Sequence, residues 1–148
     1  MATNRTVLSI HREPAQLSLL EENGYELLTA TNGREGLRLF MACHVDAIVL
    51  EYHLGVLDGS VIAGEIKRVR PEVPIVMLTD HPELPHGALK SVDALVTKSD
   101  GAHFLWATLH FVLNAKTALH RERKLRAQAS VHLRRPRQVA ARGGSLAG

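Results

Sequence analysis

The chain has 148 residues, 45% of them hydrophobic and 22% charged, so it is long enough for one domain with a proper core and has an ordinary globular composition. No apolar run approaches the roughly 20 residues that span a bilayer, and the first ten residues lack the apolar stretch of a signal peptide. A single cysteine excludes an intramolecular disulfide, and we therefore expect a cytoplasmic protein that does not associate with a membrane.

The net charge of +3 is unevenly distributed along the chain. Residues 1–119 hold ten Lys/Arg and fourteen Asp/Glu, which gives −4. Residues 120–148 hold eight Lys/Arg against Glu122 alone, which gives +7. We expect one domain over residues 5–118, followed over residues 119–148 by a basic helical extension that ends in a disordered tail.

Short apolar runs alternate with helical patterns about five times along the chain. The runs predicted as strands are TVLSI (6–10), YELLTA (25–30), VDAIVL (45–50), PIVMLT (74–79) and DALVTK (93–98). The predicted helices cover residues 13–24, 32–43, 60–70 and the stretch from about Asp100 onward. Residues 81–91 predict a weak helix at best, because two prolines and a glycine interrupt them.

Helical spacing gives each predicted helix one apolar side. The side chains predicted to lie on those sides are Leu17, Leu20, Leu37, Phe40, Met41, Val61, Ile62, Ile66, Val69, Phe104, Leu105, Leu109, Val112 and Leu113. Apolar strands that alternate with such helices predict a parallel sheet covered on both faces. The repeat suits a flavodoxin-like, doubly wound α/β fold: five parallel strands in the order 2-1-3-4-5 with helices on both faces.

In such sheets the ligand chemistry gathers at the carboxyl ends of the strands. The ends here carry His11-Arg12-Glu13, Glu51, Thr79-Asp80 and Lys98-Ser99. Their order and context resemble the receiver domain of bacterial two-component response regulators, over roughly residues 5–115.

The resemblance rests on one short motif at each of four strands. The family's first strand ends in Asp-Asp-x-Pro, where this chain reads HREP (11–14). The third ends in Asp-x-x-Leu-Pro-x-Met-Asp-Gly, where this chain reads EYHLGVLDG (51–59). The fourth ends in Thr or Ser and the fifth in Lys-Pro, matched here by Thr79 and Lys98.

The resemblance implies that Glu51 occupies the position of the phosphoacceptor aspartate. Family members bind Mg²⁺ through the acidic pair of strand 1, the acceptor aspartate and a backbone carbonyl, and here that pair is His11 and Arg12. Arginine repels a cation, and histidine is a poor ligand for Mg²⁺. We therefore expect no cofactor and little or no Mg²⁺ binding, and no histidine shows zinc-ligand spacing with a cysteine.

The glutamate itself departs from the family pattern. Its extra methylene moves the carboxylate outward by about 1.5 Å, and a displacement of ~1 Å from reactive geometry lowers a rate about a hundredfold. We expect negligible self-catalysed phosphorylation and a carboxylate that pairs with Arg12 or Lys98 and imitates the phosphorylated form. The alternative is that Glu51 caps the strand and pairs with Lys98 for stability alone.

By the same resemblance, Thr79 and Leu95 stand where the family has its threonine–aromatic switch. The aromatic residue, three positions before the lysine, is replaced here by Leu95. The switch is therefore broken at one end, and Thr79 either keeps a switch role or satisfies local hydrogen bonds.

The sequence shows no nucleophile–base constellation and no phosphate-binding glycine-rich loop, so we expect a binding module and not an enzyme. The first hypothesis is a stand-alone, atypical receiver that binds a histidine kinase or a downstream effector without phosphorylation. By resemblance it would use the surface of the fourth helix, the fifth strand and the last helix, which also suits a homodimer. Two alternatives stay open: a conventional phospho-accepting receiver, and a nucleic-acid-binding regulator acting through the basic tail.

Overall fold

The structure, a computed structural model, describes residues 5–12 and 17–147, except for the side chains of residues 116, 117, 120 and 130–147. The chain divides into two compact units, residues 1–114 and residues 115–148. Within the described residues, no helix is both long enough and apolar enough to cross a bilayer.

The first unit contains a five-stranded sheet. The strands are β1 Thr6–Ile10, β2 Glu26–Ala30, β3 Ala47–Glu51, β4 Ile75–Thr79 and β5 Ala94–Thr97. All are parallel, in the order β2-β1-β3-β4-β5, so the predicted topology is confirmed. Every residue of β3 and β4 is buried, as expected for central strands covered on both faces.

Helices cover both faces of the sheet. They are α1 Ser18–Glu22, α2 Gly33–Ala42, α3 Gly59–Val69 and α4 Ala102–Ala147. On one face, α2 and α3 bury Phe40 and Ile66 against strand residues such as Ile48. On the other face, α1 and the beginning of α4 bury Leu20 and Leu109 against the remaining strand residues. The two faces alternate along each strand because successive side chains point in opposite directions.

The beginning of α3 fixes the carboxyl end of β3. Asp58 caps the helix by accepting a hydrogen bond from the Val61 N–H at 3.2 Å, as an N-cap aspartate should. At the next residue, Gly59, a Cβ would lie 2.6 Å from the Glu51 carbonyl oxygen. The helix therefore starts directly against the last residue of β3, and only glycine permits that approach.

Four side chains predicted to face the core are instead substantially exposed. They are Met41, Val61, Val69 and Phe104, with between 42% and 61% of their surface accessible. Helical spacing indicates the direction of an apolar side but not where the covering sheet stops. Each of these residues lies at the margin of a helix face whose middle is buried.

The connection between β4 and β5 contains no helix. Residues 81–85 are irregular and residues 86–91 form a series of turns, in which Gly87 has a φ of 84°, a value that favours glycine. The last helix of the chain is therefore the fourth. Lys98, predicted within the fifth strand, follows it in a short 3₁₀ turn, Lys98–Asp100. The predicted start of the first helix, residues 13–16, lies outside the described residues.

In the second unit, α4 continues to Ala147. Its described side chains, at residues 115, 118, 119 and 121–129, are all exposed. The domain boundary near residue 118 and the disorder of the tail stay predictions.

Candidate functional site

The carboxyl edge of the sheet places a buried carboxylate beside cationic residues. Glu51 is the last residue of β3 and only 2% of its surface is accessible. It pairs in register with Leu78, so Thr79 at the end of β4 lies one residue further along the same edge. The Tyr52 N–H continues the ladder by donating to the Leu78 carbonyl at 2.9 Å.

Both oxygens of the Glu51 carboxylate accept hydrogen bonds. The backbone N–H of Arg12 donates to Oε1 at 3.0 Å, and the Arg12 Nε lies 3.7 Å from the same oxygen. Lys98 Nζ donates to Oε2 at 2.5 Å. Both cations that the sequence named as candidate partners therefore pair with Glu51.

Asp80 completes this group, which we call the Glu51 network: Glu51, Arg12, Lys98 and Asp80. The Asp80 Oδ1 lies 3.5 Å from Lys98 Nζ, and its side chain is exposed. The sequence placed Asp80 at the end of the strand that neighbours β3 but gave it no role in the site. Lys98 thus lies between one buried and one exposed carboxylate.

The network shifts the pKa values of its buried pair. Burial acts most strongly on the pKa of Glu51 and raises it, but hydrogen bonds from Lys98 and the Arg12 backbone, with a favourable field from His11, outweigh burial. The pKa of Glu51 therefore lies below its ordinary value of 4.5. Burial lowers the pKa of Lys98, but the bonds and charges of Glu51 and Asp80 raise it above 10.5 overall. Both groups are charged at neutral pH.

The remaining predicted site residues lie around the network. The His11 side chain is buried, and the backbone N–H of His11 donates to the Ala30 carbonyl at 2.9 Å. Thr79 is buried too, and its hydroxyl has no hydrogen-bond partner among the described residues, so both roles considered for it stay predictions. Leu95 pairs in register with Met77 and packs against the core on the side of α2 and α3.

The donors at this edge do not fit Mg²⁺. That ion requires near-octahedral coordination by oxygen atoms. Here both Glu51 oxygens already accept from Arg12 and Lys98, and the Arg12 guanidinium repels a cation. No group of three or more His, Cys, Asp or Glu side chains in the described part of the chain is arranged to hold a metal ion.

Comparison with known proteins identifies the family. The model of the response regulator receiver domain matches residues 12–98, more than half of the chain. The transcriptional regulatory protein GlrR of Escherichia coli K12 is 32% identical over 83 residues, which are 53% of this chain and 19% of GlrR. The chain thus spans about a fifth of the length of the curated relatives GlrR and QseF.

Solved structures agree with this match. The response regulator TrrA of Thermotoga maritima, in complex with Mg²⁺-BeF, is 26% identical, with a TM-score of 0.69 over 73% of this chain and 98% of TrrA. A chain in the structure of the histidine kinase ThkA in complex with TrrA is 28% identical, with a TM-score of 0.66. The match covers 74% of this chain and 98% of that chain. The chain therefore belongs to the response regulator receiver domain family of two-component signalling.

Proposed function

We propose that this chain is an atypical receiver that acts in two-component signalling through protein contacts, without accepting a phosphoryl group. The observation that carries the proposal is the doubly bonded carboxylate of Glu51. The receiver fold supports a role in two-component signalling. The Glu51 network supports a site whose charge does not depend on phosphorylation.

Phosphoryl transfer to Glu51 is unfavourable for a geometric reason. The attacking oxygen has to approach phosphorus in line at about 3–3.5 Å. Each oxygen of Glu51 already accepts a hydrogen bond, and the side chain is almost fully buried. The hydrogen bonds from Arg12 and Lys98 make the lone pairs left on these oxygens less nucleophilic, and burial of the side chain hinders the approach of a phosphoryl donor.

Neutralisation of the transferred group is the second obstacle. Mg²⁺ would supply charge to the phosphoryl oxygens, but the donors present do not fit that ion. Arg12 and Lys98 supply positive charge instead, and they already use it to neutralise Glu51. The network therefore holds one fixed arrangement in which carboxylate and cations are mutually satisfied.

A cytoplasmic signalling protein is the partner that this function requires, either a sensor histidine kinase or a downstream effector. We place the contact on residues 80–93, β5 and the beginning of α4, where the apolar side chains Leu89 and Phe104 are exposed. A partner that covers Leu89 and Phe104 would remove exposed apolar surface from water, which favours association. The same surface suits a homodimer.

Intact-protein mass measurement tests the proposal. The purified chain is incubated with a small phosphodonor and Mg²⁺, and we expect no mass gain. The variant H11D/R12D/E51D restores three acids at the edge, and we expect it to gain one phosphoryl group.

Two controls locate the acceptor. Adding D80N to the triple variant should leave the mass gain unchanged, because Asp80 is not the acceptor. Replacing the new acid at residue 51 with asparagine should abolish it. A wild-type chain that acquires a phosphoryl group on Glu51 would refute the proposal and favour the conventional receiver.

A further inference from the structure

The second unit presents a helix with an unusual distribution of charge. Its described side chains include Arg121, Arg123, Lys124 and Arg126, all of them exposed. The only acid from residue 120 onward is Glu122, whose Oε1 accepts from Arg126 Nη2 at 2.5 Å. The other three described cations, Arg121, Arg123 and Lys124, are therefore available to bind a partner.

The cations surround the helix and do not form one stripe. At about 100° per residue, the four point to all sides, and no gap between neighbouring cations exceeds about 140°. The widest gap contains Leu125 together with Glu122, so it is not an apolar face. Leu119 lies about 120° from Leu125 and does not extend it.

This distribution disfavours two common partners of basic helices. A helix that lies on a membrane needs a broad face of large apolar residues opposite its cations. A coiled coil needs apolar residues at a and d positions repeated over several heptads. The only large apolar side chains in the described part of the second unit are those of Leu119 and Leu125, and they point in different directions.

A polyanion that surrounds the helix fits the distribution better. The major groove of B-form DNA is about 12 Å wide and has phosphates along both walls. An α-helix with its side chains is about 10–12 Å across, so cations on opposite sides of one helix reach both walls. The corresponding groove of A-form RNA is too narrow and deep for a helix.

We propose that the basic helix of the second unit, centred on residues 121–126, docks in the major groove of double-stranded DNA, mainly through phosphate contacts. The charge of +7 over residues 120–148 supplies the attraction, and the mildly acidic remainder of the chain does not. Contacts of this kind bind DNA with little sequence preference. The proposal does not depend on the state of the Glu51 network.

Fluorescence anisotropy with a labelled DNA duplex of arbitrary sequence tests the proposal on the full chain. With about six phosphates neutralised, log Kd should change with log salt with a slope of magnitude about 5. Affinity should then fall about a thousandfold between 50 and 200 mM salt. A salt-independent Kd, or no detectable binding at 50 mM salt, would overturn the proposal.

A charge-matched pair of variants locates the surface. In R121Q/R123Q/K124Q/R126Q the four helix cations become glutamine, which keeps helix propensity, and the slope should fall by about 3–4. The control removes four exposed cations of the first unit, as R34Q/R38Q/R68Q/K90Q. Both variants change the net charge from +3 to −1, but the control should keep the wild-type slope. Equal loss in both would show that only overall charge matters.

Two further measurements test the helix and the kind of partner. A127P keeps every charge but interrupts the helix, and it should weaken DNA binding at least tenfold. Wild-type affinity in A127P would mean that an extended chain, not a helix, makes the contacts. Equal or tighter binding to duplex RNA, or to phosphatidylserine vesicles, would likewise overturn docking in the DNA groove.

Discussion

Replacing Lys98 with methionine removes the main partner of a buried carboxylate. Removing one partner of a fully buried ion pair costs about 3–5 kcal/mol, because the other charge is left unpaired. The Lys98 side chain is 26% exposed, and the Arg12 N–H would still donate to Glu51 Oε1. We therefore expect K98M to lower the free energy of unfolding by about 2 kcal/mol at pH 7.

The pH dependence of this loss follows from the pKa of Glu51. In the wild type that pKa lies below 4.5, so Glu51 contributes stability above pH 4.5, and this stability is lost as the pH falls through the folded-state pKa. Without Lys98 two of the contributions that lower the pKa of Glu51 are lost while burial still raises it, so this pKa should rise. The difference between K98M and the wild type should be largest at neutral pH. It should shrink as the pH falls through the folded-state pKa of Glu51 in the wild type, because below that pKa both proteins bury a neutral acid.

Urea unfolding followed by circular dichroism, at several pH values, measures this difference. K90M is the matched control, since Lys90 is exposed, and it should change stability by less than about 0.5 kcal/mol. The double variant E51M/K98M leaves no unpaired buried charge, because the Arg12 and Asp80 side chains are exposed. Its stability should therefore recover to within about 1 kcal/mol of the wild type. If K98M and K90M had the same free energy of unfolding at pH 7, or if the stability lost in K98M increased as the pH fell, Lys98 would not stabilise the ionised carboxylate of Glu51.

Two further predictions concern contacts with backbone carbonyls, the first beside Glu51 and the second before the start of β4. G59A should lower the free energy of unfolding by about 2 kcal/mol or more in urea unfolding, because the Cβ of the alanine would overlap the carbonyl of Glu51. The control G64A should raise it by about 0.5–1 kcal/mol, since a Cβ at residue 64 meets no atom within 4 Å. Equal effects of the two substitutions would contradict the overlap. K67M should lower the urea midpoint by an amount corresponding to about 2 kcal/mol, because Lys67 Nζ donates to the Pro71 and Val73 carbonyls and to Asp93. An unchanged midpoint in K67M would show that these carbonyls are adequately solvated without the lysine.

The sequence by itself determined the order of the elements and the topology of the sheet. Continuous apolar runs such as AIVL before Glu51 are long enough only for buried strands, and the amphipathic segments between them have to cover both faces. Because parallel strands end at a common edge, the residues following β1, β3, β4 and β5 were also predictable as neighbours.

Only the tertiary structure decided how those neighbours pair and which helix positions are covered. The sequence had named Arg12 or Lys98 as the partner of Glu51, but only the structure shows that each bonds to a different oxygen of the carboxylate. It also shows Asp80 near the Lys98 ammonium group, which local patterns do not specify. The hydroxyl of Thr79 meets no hydrogen-bond partner in the described part of the chain, because its surroundings, not its residue type, decide hydrogen bonding. Met41 is exposed for a similar reason: helical period fixes the spacing of apolar residues, whereas the extent of the covering surface fixes which of them are buried.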